Sequence, residues 1–352
     1  MIKTITFIRF PFKSRMGGEE LHTIKLAEYF RSKGFKVRLI SSCPVLINEF
    51  KNRKFEVYEF FPFKAPVTKV SMLNFILKYP WNLFNFSRKF NADFFKNEVG
   101  TFLLNIGEKI LFSKYLSKNS KKVIFMEHAT IGNFMYKNPF LRKLKKIARL
   151  KNIAIVSVSK IMKIELEKVY SVQPVIIPNA TYDFPKSFNE RSSELRKIGY
   201  LGRFTKDKGS DVVLNLAKKF TDIKFLISTE IIKNKSKNIK CLGYLKDEKL
   251  ETFWKEIDLL ILPSLKIDPF GLVVLEAMQR KVPVIISDQV GAKDYFENDK
   301  EILISSPSNF ESKIKKIQQN VSVLDKIKIN AFKKVHKMTS DKMHQQYLDL
   351  LK

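Results

Sequence analysis

The chain has 352 residues, with 65 Lys+Arg against 35 Asp+Glu, a formal net charge of +30 and 45% hydrophobic content. That length suits two ordinary domains with sizeable cores, and no run approaches the ~20 apolar residues that span a bilayer. Two distant cysteines, Cys43 and Cys241, exclude a disulfide scaffold, and no Cys/His cluster has metal-ligand spacing.

Met1-Ile2-Lys3 leads straight into an apolar strand, Thr4 to Arg9, with no signal-peptide pattern. A loop, 11–16, follows. Gly17-Gly18 then precedes a helical pattern on Leu21, Ile24, Leu26, Ala27 and Phe30. Gly34 reads as the helix end and residues 35–40 as a second strand, completing a β-α-β unit. A Gly-Gly pair lets backbone approach a ligand, although its commoner use is a plain loop. It is not the Gly-x-Gly-x-x-Gly fingerprint of dinucleotide binding.

Residues 60–95 interleave Lys with Phe, Tyr79 and Trp81, and 141–151 pack RKLKK beside Ile147 and Leu150. The basic excess is uneven: residues 1–180 hold 33 Lys+Arg and 12 Asp+Glu, whereas 181–352 hold 32 and 23. Basic segments with large aromatics suit an anionic lipid surface; a Lys- and Phe-rich composition scattered everywhere gives the same pattern without function. Between these segments, His128 follows a strand over 122–126. It stands where open α/β sheets bind ligands, at a strand's C-terminal end. The other histidines, His22, His336 and His344, fall in charged helical patterns.

In the second half, GYLGRFTKDKG (199–209) takes a strand into Arg203 and Lys208 before a helix near Ser210. Two cations at a strand-to-helix mouth can neutralise a diphosphate. CLGYL (241–245) is followed by a helix and then IDLLILPS. The densest segment is LPSLKIDPFGLVVLEAM (262–278), with Asp268 and Glu276 eight positions apart around a helix start near Phe270. Free amides and the dipole there form an anion site, and a carboxylate on either side matches sugar, diphosphate and ribose. An Asp cap on a good helix former is the plain structural alternative.

The last segment resembles the PS…EPFGxxxxEAM signature of the family 4 retaining glycosyltransferases, whose fold is GT-B, with Asp268 in place of the first Glu. Residues 199–209 are similar to the same family's G-R-x-x-x-x-K-G segment, VIIPNA (175–180) to its IPNG, and 241–245 to its nucleobase-binding turn. The match is dense over about 195–297 and sparse before 190. Lys281 stands where the family has Gly, and 290–294 keep only part of a GG-x-x-E loop.

The resemblance implies two Rossmann-like α/β domains facing across a cleft, spanning 1–180 and 190–333. A C-terminal helix (334–352, starting as early as Phe332) would pack back on the first. It further implies transfer of a hexose from a nucleoside-diphosphate sugar, with retention, to a lipid-linked or surface-polysaccharide acceptor. Arg203, Lys208 and the amides of Phe270, Gly271 and Leu272 would hold the diphosphate, and Glu276 the ribose. Asp268 and His128 would orient the sugar, Gly243 and Tyr244 would hold the base, and Gly17 and Gly18 would face the donor phosphate. No metal or other cofactor is expected, nor nucleic acid. The protein would be cytoplasmic, peripheral on the inner face of the membrane. Two other classes stay open: a basic nucleic-acid-binding protein, on charge, and a sugar-nucleotide epimerase of the same fold.

Overall fold

The computed structural model describes residues 2–10, 16–61, 69–128, 130, 140–182, 194–230, 232 and 236–352, with backbone alone for 69–76. It divides into two units, 1–158 with 162–177 and 344–352, and 159–161 with 178–343. Each unit is built on one all-parallel sheet.

In the first unit the strands are β1 (Thr4–Arg9), β2 (Lys36–Ser41), β3 (Glu56–Glu59), β4 (Glu98–Leu103), β5 (Val123–Glu127), β6 (Ile153–Ser157) and β7 (Val175–Ile176). They lie in the order β3-β2-β1-β4-β5-β6-β7. Helices α1 (Gly18–Ser32), α2 (Pro44–Asn52), α3 (Lys69–Lys89), α4 (Ile106–Asn119), α5 (Phe140–Ala148) and α6 (Lys160–Tyr170) alternate with them. Strands β1, β4 and β5 are buried along their whole length, as expected where helices cover both faces of a parallel sheet. Phenylalanine fills the core: Phe7 stacks on Phe102 at 4.9 Å and Phe86 on Phe112 at 4.0 Å. Gly34 (φ 83) ends α1 in the expected left-handed turn, with the Phe35 amide donating to the Phe30 carbonyl.

In the second unit β8 (Lys197–Tyr200), β9 (Lys224–Ile227), β10 (Ile239–Cys241), β11 (Leu259–Leu262), β12 (Val284–Ser287) and β13 (Leu303–Ser305) are ordered β10-β9-β8-β11-β12-β13. Helices α7 (Ser210–Lys219), α8 (Asp247–Glu256), α9 (Leu272–Gln279), α10 (Phe310–Gln319) and α11 (Val323–Val335) accompany them, and α12 (Ser340–Asp349) begins in this unit. The chain moves one way across the sheet from β8 and the other way from β11. A topological switch point therefore falls between these neighbours, and the corresponding one in the first sheet lies between β1 and β4. Ligands of open α/β sheets bind at such points.

Two expectations about helix limits need correction. The final helix expected from Phe332 is two helices. The Met338 carbonyl accepts from the Thr181 amide at 3.2 Å, and the Thr339 hydroxyl faces the Lys342 amide at 3.4 Å, so the helical ladder stops and restarts. The helix expected from Phe270 starts at Leu272, because Gly271 adopts φ 80, outside the helical region. As expected, α9 ends on a left-handed residue that is not glycine, Lys281 at φ 54, with the Val282 amide donating to the Ala277 carbonyl.

The C-terminal residues 344–352 are grouped with the first unit. Tyr347 is 1% exposed, and its ring lies 6.2 Å from Phe102 and 5.4 Å from His22. Leu351 occupies the space that a side chain on Gly100 of β4 would need. Replacing Tyr347 with Ala empties this packed site, and the expected loss is about 3 kcal/mol. Denaturant unfolding measures it, and a midpoint unchanged from the parent would contradict the packing described.

Candidate functional site

The second switch point gathers most of the residues singled out in the sequence. The loop after β8 carries Arg203 and Lys208. Its shape is set by Tyr200, whose hydroxyl donates to the Arg203 carbonyl at 2.8 Å. Burial and the nearby Asp268 charge push the Tyr200 phenol well above its ordinary value, so it stays a donor. Lys206–Lys208 form a single 3-10 turn that ends at Gly209, φ 79. A Cβ at Gly209 would collide with the Pro263 carbonyl of the loop after β11. Only glycine meets both demands, left-handed backbone and close approach. The two loops are further joined by the Leu265 and Lys266 amides, which donate to the Asp207 carbonyl at 2.9 and 3.2 Å.

The loop after β11 is laced on its other side to 289–292. The Asp268 amide donates to Gln289 O, the Gly291 amide to Asp268 O and the Ala292 amide to Phe270 O, at 2.8 to 2.9 Å. Gly291 is required here because a Cβ would strike the Pro269 carbonyl. Asp294, from the partly kept family loop, accepts from the amides of Lys160 and Ile161 at 2.7 and 3.1 Å in the same unit, so its carboxylate is already engaged. These bonds fix the loop that leads into α9. The Phe270 side chain is 2% exposed and packs 5.5 Å from Tyr295. Only its backbone is available, in line with the amide role implied for it.

Lys208 and Asp268 meet directly: Nζ lies 2.7 Å from Oδ2, with both side chains largely covered. The cation assigned to the diphosphate and the carboxylate assigned to the sugar are thus each other's counter-ion. Glu276, on α9, is desolvated, and this with the nearby Glu251 charge raises its carboxyl pKa against the pull of Arg280. Arg280 is itself committed to Glu251 and to the Glu276 carbonyl. Among the described residues no donor hydrogen-bonds to the Glu276 carboxylate, which leaves it free for an outside hydroxyl. Past β10, the edge strand of the sheet, Gly243 (φ 69) turns the chain in open space and Tyr244 is 72% exposed.

The first unit holds the remaining candidates. Gly17 is extended (φ −156) and caps α1, a geometry open to any residue, so its conformation does not demand glycine. The preceding loop residues 11–15 lie outside the described set. His128 leaves the end of β5, and its buried Nε2 has no hydrogen-bond partner among the described residues. It is not isolated among helices: the His22 ring lies 4.7 Å away, and His344 packs 6.3 Å from His22. Burial lowers the His128 pKa to about 4, against the raising effect of Glu19. The His22 pKa is also lowered well below its ordinary value, by burial first and then by its neighbours His128 and His344. Both rings are neutral at neutral pH.

Beneath His128 lies a buried ionic network that sequence reading missed. Arg9 binds Glu19 at 2.8 Å and Glu20 at 2.7 Å. Lys109, fully buried, contacts Glu127 at 2.8 Å and donates to the carbonyls of Leu104 and Met126 at 2.9 and 2.8 Å. All three ammonium hydrogens are thereby used, and the ends of β4 and β5 are tied together. In sequence the only hint is a charged residue inside an otherwise apolar helix pattern. Among the described residues no group of three His, Cys, Asp or Glu side chains could hold a metal ion.

These two doubly wound units, each with a topological switch point, define an open parallel α/β class. Comparison narrows it. Residues 183–334 match the family model described as Glycosyl transferases group 1. A glycosyltransferase from Rickettsia africae ESF-5 superposes with TM-score 0.75 at 19% identity, covering 99% of this chain and 98% of that one. The Anabaena protein Alr3699/HepE in complex with UDP-glucose gives 0.76 at 13% identity, covering 99% of each. These likenesses establish the fold as GT-B. In sequence, an uncharacterized 42.6 kDa protein in the cps region of Klebsiella pneumoniae is 31% identical over 104 residues, 27% of each chain. The uncharacterized glycosyltransferase YqgM of Bacillus subtilis is 25% identical over 168 residues, 43% of this chain and 46% of its own. The chain thus spans about a quarter to a half of the curated relatives it matches.

The histidine cluster sets a pH dependence. With a folded pKa of about 4 against an ordinary 6.5, His128 is protonated first in the unfolded chain as pH falls. Stability present above pH 6.5 is therefore lost between 6.5 and 4, by about 3 kcal/mol for this residue. His128→Gln should flatten that acid limb in denaturation curves taken across the window. An unchanged slope would show that the ring is not held neutral.

Proposed function

We propose that the protein is a glycosyltransferase of family 4 that moves a hexose from a nucleoside-diphosphate sugar, with retention at the anomeric carbon. The observation that carries this reading is the Lys208–Asp268 ion pair, which joins the loop after β8 to the loop before α9 at the β8/β11 switch point. Departure of a nucleoside diphosphate leaves charge on phosphate oxygens while the sugar becomes cationic. Arg203, Lys208 and the α9 amides stabilise the departing charge, which grows toward the transition state. Glu276 takes the ribose hydroxyls, and Tyr244 with Gly243 receives the base. Asp268 and the neutral His128 orient the sugar. No side chain is assigned as nucleophile; the leaving phosphate accepts the acceptor's proton as the new bond forms on the same face.

The donor is proposed to be a uridine nucleotide, since structural neighbours of this fold are described in complex with UDP and UDP-glucose. The acceptor is proposed to be a lipid-linked or surface-polysaccharide glycan. Relatives in a cps region and a lipopolysaccharide outer core galactosyltransferase of the same fold support that class.

A thermal-shift panel of UDP-, GDP-, ADP- and TDP-sugars should show one donor raising the melting temperature by mass action. Absence of any shift at millimolar donor would count against the reading. Arg203→Ala and Glu276→Ala are each expected to cut transfer by at least ~100-fold, the cost of one preorganised polar contact. Near-normal turnover in either variant would remove that residue from the site. Product analysis by anomeric NMR tests retention, and an inverted product would contradict it. Conversion of free donor without acceptor would point instead to an epimerase.

A further inference from the structure

The first unit carries a surface feature that the transfer reaction does not use. Residues 60–92 contain five Lys and Arg and no carboxylate, and 128–164 contain nine and again none. These stretches include α3 and α5, which touch: Tyr79 stacks on Phe140 with ring centroids 5.6 Å apart, and the Lys143 ammonium lies 4.2 Å over the Tyr79 ring. The inner side of α3 is anchored by Phe86 and Asn82, both buried. Its outer side is unusual for a helix on a soluble unit. Leu77, Trp81 and Phe84, at helical spacing, are 69, 60 and 55% exposed, and the ridge continues to Arg88. Phe61, 71% exposed, borders the same end of α3 in a shallow depression shared with Arg88 and Lys89.

Helix α5 complements it. Leu141, Leu144 and Ile147 face inward, while Arg142 and Lys146 are exposed, as is Arg149 just beyond the helix end. Among the described residues, no carboxylate pairs with Arg88, Arg142, Lys146 or Arg149.

We propose that the outer faces of α3 and α5 form a docking surface for an anionic phospholipid bilayer, with Leu77, Trp81 and Phe84 entering the headgroup–acyl boundary and the unpaired cations resting on phosphates. Large exposed apolar side chains gain nothing from a nucleic-acid backbone, whereas the interfacial zone of a bilayer accepts them. Each basic residue near an anionic surface strengthens attachment about fivefold, a contribution screened by salt. No helix among the described residues is long and apolar enough to cross a membrane, so attachment here is to one face. The inference rests on the first unit alone and stands or falls separately from the donor site.

The test uses the full chain and vesicles of phosphatidylcholine, alone or mixed equally with phosphatidylglycerol. Trp81 is exposed and Trp254 is 1% exposed, so a change in tryptophan emission on mixing reports Trp81. The protein should sediment with the mixed vesicles, blue-shift its emission, and be stripped by molar salt. Trp81→Ser with Phe84→Ser should weaken vesicle affinity by about tenfold, and Arg142→Glu with Lys146→Glu by at least ~25-fold. Both pairs should leave donor-induced thermal stabilisation unchanged. Sedimentation without an emission change, equal binding to neutral vesicles, parental affinity in the serine pair, or preference for duplex DNA over vesicles would each overturn the proposal. Loss of donor stabilisation in the parent protein would instead bear on the transferase reading.

Discussion

One backbone-on-backbone approach governs the second unit: Gly209 lies against the Pro263 carbonyl with no room for a side chain. That contact brings together the loops that leave the two central strands of the sheet. With the loops apart, Lys208 could not reach Asp268 at 2.7 Å. The contact is secured by steric fit and three glycines, Gly209, Gly271 and Gly291, two of them in left-handed backbone. It does not depend on charge, so it holds whether or not an anion is present. This is the preorganisation that electrostatic stabilisation of a leaving group requires.

The second unit was far more legible in the sequence than the first, for a physical reason. Its site is made of loops in which spacing is geometry: Arg203, Lys208, Gly209, Asp268 and Gly271 all lie within nine residues of the end of β8 or β11. Contiguous residues therefore encode contiguous space. The first unit builds its centre from Arg9, Glu19, Lys109, Glu127, His22, His128 and His344, which come from β1, α1, α4, β5 and α12. Such a cluster exists only after the chain has folded. The strands at 4–9, 35–40 and 122–126 are legible because parallel strands covered on both faces are continuous apolar runs, whereas β3 (Glu56–Glu59), half-buried and charged, carries no such signal. The last helix was misjudged because its interruption depends on Thr181, a partner distant in sequence.

The two units also divide the charge differently. In the first, buried cations are matched one by one: Arg38 to Glu98, Arg9 to Glu19 and Glu20, Lys109 to Glu127. Removing one member of such a pair leaves an uncompensated buried charge. The surplus that gives the chain its net +30 is therefore external, concentrated where carboxylates are missing from long stretches. Composition alone shows the surplus; the fold shows that on α3 and α5 it borders exposed aromatic side chains.

The Lys208–Asp268 pair carries a consequence for the end of a catalytic cycle. On the proposed reading, an intact donor offers both halves of the pair a new companion, phosphate for the ammonium and sugar hydroxyls for the carboxylate. Once the carbohydrate has moved on, the spent nucleotide compensates the ammonium alone and leaves the carboxylate stranded. Re-forming the ion pair repairs that deficit, so the enzyme itself competes for the lysine that its by-product still holds. On that reading product inhibition would be weakened by the carboxylate assigned to the sugar, and a turnover limited by discharge would respond to the carboxylate at 268.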